Sequence, residues 1–231
     1  MENKYFEKAI IFKNKLLDAI KEIFYSSGNE ILVRVEDINI LQRKNNSIES
    51  STAIGYLLEE YLISKLSLYL KTKNVGIKIN ETNFSTQNSS YDFSSNFKED
   101  FFMINIKANR ANNNAVVAIN KLYNDYVLIE ENLVKHFLII KINYDVNFSK
   151  TESQIKKVII KDIDSFFLEE LDFAKNHFQD HRNWSQKMNL NSGRLLVINK
   201  FRLENKLKKE IISYERTKSF LKKIYYGNIE D

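Results

Sequence analysis

The stretch 101–108, FFMINIKA, is the most restrictive in the chain. Successive side chains of an extended strand point to opposite faces, so Ile104 and Ile106 share one face while Asn105 and Lys107 share the other. Such a strand needs an apolar layer against the isoleucines. A lysine seated in it has to face water, an anion or a catalytic centre, because an unpaired buried ammonium is too costly.

The surrounding sequence offers the apolar layer. Phe6, Ile10, Leu17, Ile20 and Phe24 recur at helical spacing through residues 3–25, and Ser26-Ser27-Gly28 ends that helix. Ile31, Val33 and Val35 alternate as a half-buried strand does. A second helix over about 51–71 carries Ile54, Leu57, Leu58, Tyr61, Leu62, Leu66 and Tyr69 on one face. A polar hinge at 80–90 leads to a short strand, Tyr91–Phe93, and then to the strand 101–108. The asparagine-rich residues 109–114 open a helix running through Ile119, Leu122 and Tyr126. His136–Ile142 and Ile155–Lys161 read as core strands, Ser165–Lys175 as a helix, 179–192 as an irregular polar segment and Arg194–Ile198 as a late strand. A lysine-rich amphipathic helix closes the chain from about 200 to 226. Interleaved helices and strands predict one α/β domain over 1–231, with a central mixed β-sheet flanked by helices and a core at about 50–200.

Composition excludes some classes. The chain has no cysteine, hence no disulfide framework and no thiolate metal site. No apolar run approaches the about 18 residues that span a bilayer, and the first residues lack a signal peptide's apolar core, so a cytoplasmic protein without membrane contact is expected. The formal charge of +5, from 35 basic and 30 acidic residues, is mild and compatible with a nucleic-acid partner.

Asp92 precedes Asn105 across a plausible hairpin, which would gather Asp92, Asn105 and Lys107 at one edge. A carboxylate there can hold Mg²⁺, a hard cation that prefers oxygen ligands. The ion polarises a phosphodiester, and a neighbouring lysine stabilises the charge that develops on phosphate. In this pattern the chain resembles the PD-(D/E)xK nuclease superfamily: Asp92 matches its first acid and Lys107 its lysine, while Asn105 stands where Asp or Glu is usual. The helix segment AIGYLLEEYLISKL offers Glu59, at the border of the apolar stripe, as the additional acid, with Glu60 pointing to solvent. The order of elements over about 50–200 is similar to that of HincII-like type II restriction endonucleases.

The resemblance implies a restriction-endonuclease-like fold and Mg²⁺-dependent, sequence-specific cleavage of double-stranded DNA by a homodimer, leaving 5′-phosphate and 3′-hydroxyl ends. Asp92 would be the main metal ligand, Asn105 an auxiliary one, Lys107 the stabiliser of the reacting phosphate and Glu59 a supporting acid. Asn112, Asn113 and Asn114 fall where such enzymes read bases, and asparagine can pair bidentately with adenine. Arg110, Arg182, Lys187 and Arg194 would contact DNA, with phosphate contacts supplying salt-dependent affinity. Two other readings stay open: a structure-selective repair or recombination nuclease of the same fold, and a non-catalytic nucleic-acid-binding protein in which Asn105 records lost activity.

Overall fold

The computed structural model describes residues 2–26, 28, 30–31, 51–80, 89–110, 115–128, 133–148, 155–174, 178–179, 193–197 and 212–226. Two long helices, α1 (Glu2–Ser26) and α2 (Ser51–Lys73), cover one face of a large sheet. The stripe that α1 buries is Phe12, Leu16, Ile20 and Phe24, with Ile10 and Leu17 only half-buried, so the stripe is rotated from the one expected from periodicity. On α2 the buried line is Ile54, Leu58, Leu62, Leu66 and Leu70, and Leu57 is exposed rather than core.

The large sheet holds β1 (Glu30–Ile31), β2 (Lys78–Asn80), β3 (Phe93–Phe97), β4 (Asp100–Asn109), β6 (Lys135–Phe148) and β7 (Ile155–Phe167) in the order β1-β7-β6-β4-β3-β2. Its neighbours pair antiparallel except β4 with β6, which run parallel. The sheet is therefore mixed and flanked by helices, as the interleaving predicts. A smaller sheet, β5 (Ala115–Ala118), β9 (Arg194–Val197) and β8 (Phe178–Gln179), lies over the other face together with α3 (Ile119–Tyr123) and α4 (Tyr214–Tyr226).

Parity sorts the central strands between these two layers. Phe102, Ile104 and Ile106 of β4 and Leu138, Ile140 and Ile142 of β6 join the α1–α2 core. Met103, Phe137 and Ile139 join the second core, against Val117, Leu195, Val197 and Leu221. Burying both faces of the strand pair explains why β6 reads as a near-continuous apolar run.

Four expected elements differ. Residues 115–118 are a strand, and the helix after it is a single short turn followed by a π-helical turn over Asn124–Leu128. Residues 165–167 continue β7, because Ser165, Phe166 and Phe167 pair with Ile140, Ile139 and Leu138; the expected helix shrinks to a 3₁₀ turn at Leu168–Glu170. The strand expected at 91–93 starts at Phe93 and runs to Phe97. The last helix starts at Tyr214, with Ser213 accepting the Arg216 N–H; residues 200–211 of the expected helix lie outside the described ones. So do Val33, Val35 and most of 179–192.

Candidate active site

The site begins where β3 runs out. β3 and β4 form a hairpin that pairs Phe97 with Asp100 and Phe93 with Ile104. β4 continues past that last pair, leaving the N–H groups of Ile106 and Ala108 on the edge that β3 no longer covers. Buried backbone donors have to be paired. Asp92, just ahead of β3, donates its own N–H to the Ile104 carbonyl (2.9 Å) and accepts the Ile106 N–H at Oδ2 (2.6 Å). One step along, Ala108 N–H donates to Glu59 Oε1 (3.2 Å). Two carboxylates thus stand in for the missing strand.

Glu59 reaches this edge because α2 lies tight against it. A Cβ on Gly55 would come within 3.0 Å of the Ala108 carbonyl oxygen, closer than ordinary carbon–oxygen contact. The glycine lets the helix approach, and Glu59 follows one turn later on the same side.

Lys107 sits on the opposite parity from Ile104 and Ile106, half-buried, near both carboxylates. Burial pushes the Asp92 carboxyl above its ordinary value; the Lys107 ammonium and the Ile106 N–H pull it part of the way back, and Glu60 pushes it up again. Burial likewise raises Glu59, opposed by Lys107 and reinforced by Asp92. Both acids sense Lys107, and Glu59 also senses Asp92, which defines a compact cluster. Burial is the largest influence on both, so both acids hold protons more tightly than free carboxylates do.

Asn105 lies opposite Asp92 by extension of the hairpin register and is 5 % exposed. Its Nδ2 donates to the Ser90 carbonyl (3.0 Å), and Ser90 N–H donates to Asp125 Oδ2 (2.6 Å). These two bonds pin the segment that carries Asp92. An aspartate at 105 could not donate to Ser90, which gives the amide at this position a physical reason. Asn105 Oδ1 is buried with no hydrogen-bond partner. Asp92, Glu59 and this orphaned amide oxygen are hard oxygen donors of the kind Mg²⁺ takes, so the residues present fit such an ion. The set is sparse: no cluster of three or more His, Cys, Asp or Glu suited to a metal occurs among the described residues.

Asp92, Lys107 and Glu59 are therefore brought together, with Asn105 opposite Asp92 in the extended register. Glu60 is exposed. Arg110 is exposed at the end of β4, with Nε 3.7 Å from Asp145 Oδ1. Arg194 is exposed on β9, in the smaller sheet. Asn112, Asn113, Asn114, Arg182 and Lys187 lie outside the described residues.

The sequence reading missed a second polar row. In the parallel pair Lys107 is the partner of Lys141 and Asn109 of Asn143; across β7, Lys141 faces Asp164 and Asn143 faces Asp162. Lys141 is 2 % exposed, and Asn143 Oδ1 is buried without a hydrogen bond. On this face the apolar layer gives way to polar side chains at the same level in β4 and β6. The signal was available in 136–145, HFLIIKINYD, where Lys141, Asn143 and Asp145 alternate as Asn105 and Lys107 do.

No family model matches the chain, and no curated protein matches it.

Proposed function

We propose that the chain is a Mg²⁺-dependent hydrolase of double-stranded DNA phosphodiesters, of the type II restriction class and acting as a homodimer. The observation that carries the reading is the convergence of Asp92 and Glu59 on the uncovered edge of β4 beside Lys107. Asp92, with Asn105 Oδ1 and Glu59 in support, would hold the divalent cation, which when bound supplies Lewis-acid polarisation of the phosphate and a lowered pKa for water. Lys107 directs a fixed positive charge at the phosphate oxygens, where charge grows in the transition state. Glu59, with its pKa raised by burial, would serve as the supporting acid of that metal-holding set. The polar row from Lys107 to Asp164 extends the same face away from the acids, and the chain's surplus of +5 favours a polyanionic substrate.

The test is incubation of the protein with a sequenced duplex, with and without Mg²⁺, and mapping of the ends. Discrete fragments bearing 5′-phosphates, lost in a correctly folded Lys107→Ala variant, are expected. Cleavage that follows DNA structure instead of sequence would favour the repair-type nuclease. Binding with no Mg²⁺-dependent cutting would favour the non-catalytic reading, and full activity of Lys107→Ala would remove Lys107 from the mechanism.

A further inference from the structure

Asp92 does not belong to a strand. Residues 90–92 form a bend just ahead of β3, so no ladder fixes the carboxylate that has to meet the Ile106 N–H. Four hydrogen bonds hold this bend. Asp92 N–H donates to the Ile104 carbonyl (2.9 Å), Asp92 Oδ2 accepts the Ile106 N–H (2.6 Å), Asn105 Nδ2 donates to the Ser90 carbonyl (3.0 Å), and Ser90 N–H donates to Asp125 Oδ2 (2.6 Å). Of these four, only the last comes from outside β4.

Asp125 is itself firmly held. It is 7 % exposed and lies in the π-helical turn Asn124–Leu128, a conformation that is rare and concentrated at functional sites. From β6, the buried Lys135 Nζ donates to the carbonyls of Asp125 and Tyr126 (3.2 and 3.3 Å). From α4, the Tyr214 hydroxyl donates to the Tyr126 carbonyl (3.4 Å). The Tyr126 hydroxyl donates to Glu169 Oε1 (2.8 Å), one of the two acids that flank His136. There His136 Nδ1 is 3.5 Å from Glu169 Oε1, and Nε2 is 3.6 Å from Asp100 Oδ2. Asp125 is thus a fixed post, and the bend is the part that leans on it.

The charge of Asp125 reaches the bend. Tyr91 packs edge-on against Phe101, with ring centroids 6.4 Å apart, and its hydroxyl is pushed above its ordinary value by burial and then by the Asp125 carboxylate. A carboxylate accepting a backbone N–H makes a charge-assisted bond, stronger than a neutral one. Without that acceptor the N–H of Ser90, a residue only 7 % exposed, loses its partner, and a buried donor is costly to leave unpaired. The bend can recover a partner by swinging toward water, and Asp92 swings with it.

We propose that Asp125 is a positioning residue for the site: through Ser90 it holds the bend that aims Asp92 at the Ile106 N–H. The consequence for Mg²⁺ rests on the function proposed above; the positioning does not. Amide hydrogen exchange on the full chain, followed by NMR, tests it. In the unaltered chain the N–H groups of Ser90 and Ile106 should open as one unit, with protection agreeing within about threefold. In Asp125→Ala the Ile106 N–H should exchange at least roughly tenfold faster relative to that of Ile140 in the central sheet. Asp125→Asn, which keeps an acceptor for Ser90, should stay within about threefold of the unaltered rate. Asp125→Ala should also bind Mg²⁺ severalfold more weakly by calorimetry, with the affinity recovered in Asp125→Asn. Ile106 protection more than about tenfold above that of Ser90, or an unchanged Ile106 rate in folded Asp125→Ala, would overturn the assignment. If Asp125→Ala does not fold, the comparison within the unaltered chain decides alone. Faster Ile106 exchange in Asp125→Ala, with no Mg²⁺ binding by the unaltered chain, would sink the metal site and uphold Asp125.

Discussion

Asp92 illustrates how one side chain serves two ends that conflict. Its Oδ2 completes the backbone pairing of Ile106, yet its charge is held in a place that burial makes unfavourable. A carboxyl whose folded pKa is raised adds stability below its unfolded pKa, and that contribution is lost as pH rises through the folded value. At neutral pH the ionised form is therefore a destabilising presence. Asp92→Asn keeps an acceptor for the Ile106 N–H and removes the charge. We expect it to raise stability by about 1 kcal/mol, or about 2–4 °C in Tm for a chain of this length. We also expect Mg²⁺, by binding the folded state, to raise the Tm of the unaltered protein and to leave that of the variant unchanged. Thermal melts of both proteins with and without Mg²⁺ measure both effects; a Tm below that of the unaltered protein would count against the charge argument.

Among the elements, α2 and the β3–β4 hairpin set the site. Gly55→Ala replaces a poor helix former, a change worth about 1 kcal/mol in an open helix, but its Cβ meets the Ala108 carbonyl at 3.0 Å. That oxygen belongs to a central strand and cannot easily yield, so α2 should shift and carry Glu59 off the Ala108 N–H. The expected result is a melting temperature within a few degrees of the original with Mg²⁺ affinity reduced severalfold, read by isothermal titration; unchanged affinity would show that Glu59 takes no part in holding the ion. The strand 101–108 and its two faces were legible from alternation alone, and α1 and α2 from their periodicity. The hairpin turn was not. It consists of Lys98 and Glu99, both at positive φ (48° and 73°), a primed-turn conformation usually signalled by Asn-Gly or Asp-Gly. The length of β7 was hidden as well, since the glutamates of FFLEEL suggest a helix while ladder pairing with β6 holds Ser165–Phe167 extended. Glu59 was found because it borders the apolar stripe. Lys141 carries the same alternation signal as Lys107, but its place beside Lys107 is set by the parallel pairing of β4 with β6, which sequence spacing does not reveal.

Across the whole molecule, two polar clusters occupy opposite ends of a sheet whose middle is apolar on both faces. The His136 cluster makes stability depend on pH. Burial alone pushes the imidazole down, but Asp100 from β4 and Glu169 from the 3₁₀ turn outweigh it and hold the pKa above 6.5. With a raised folded pKa, the stabilisation is fully present below the unfolded value and is lost as pH rises through the folded one. The Phe102 and Phe167 rings packed on His136 carry no charge, so these two acids dominate what it senses. Tm should fall by a few degrees from pH 6.5 to about 8.5, and His136→Gln should remove most of that slope. A slope of equal size in the variant would assign it to other groups.

The one parallel junction among the described strands of the large sheet has a consequence for how the molecule comes together. β3–β4 closes over two residues and β6–β7 over the short stretch 149–154, so each ribbon can form from neighbouring sequence, whereas joining β4 to β6 must bridge the chain from 110 to 134. Asp92, Asn105 and Lys107 arrive on the first ribbon, Lys141 and Asp164 on the second. The proposed site and the polar row that continues it thus come from two ribbons, and they are joined only where β4 pairs with β6.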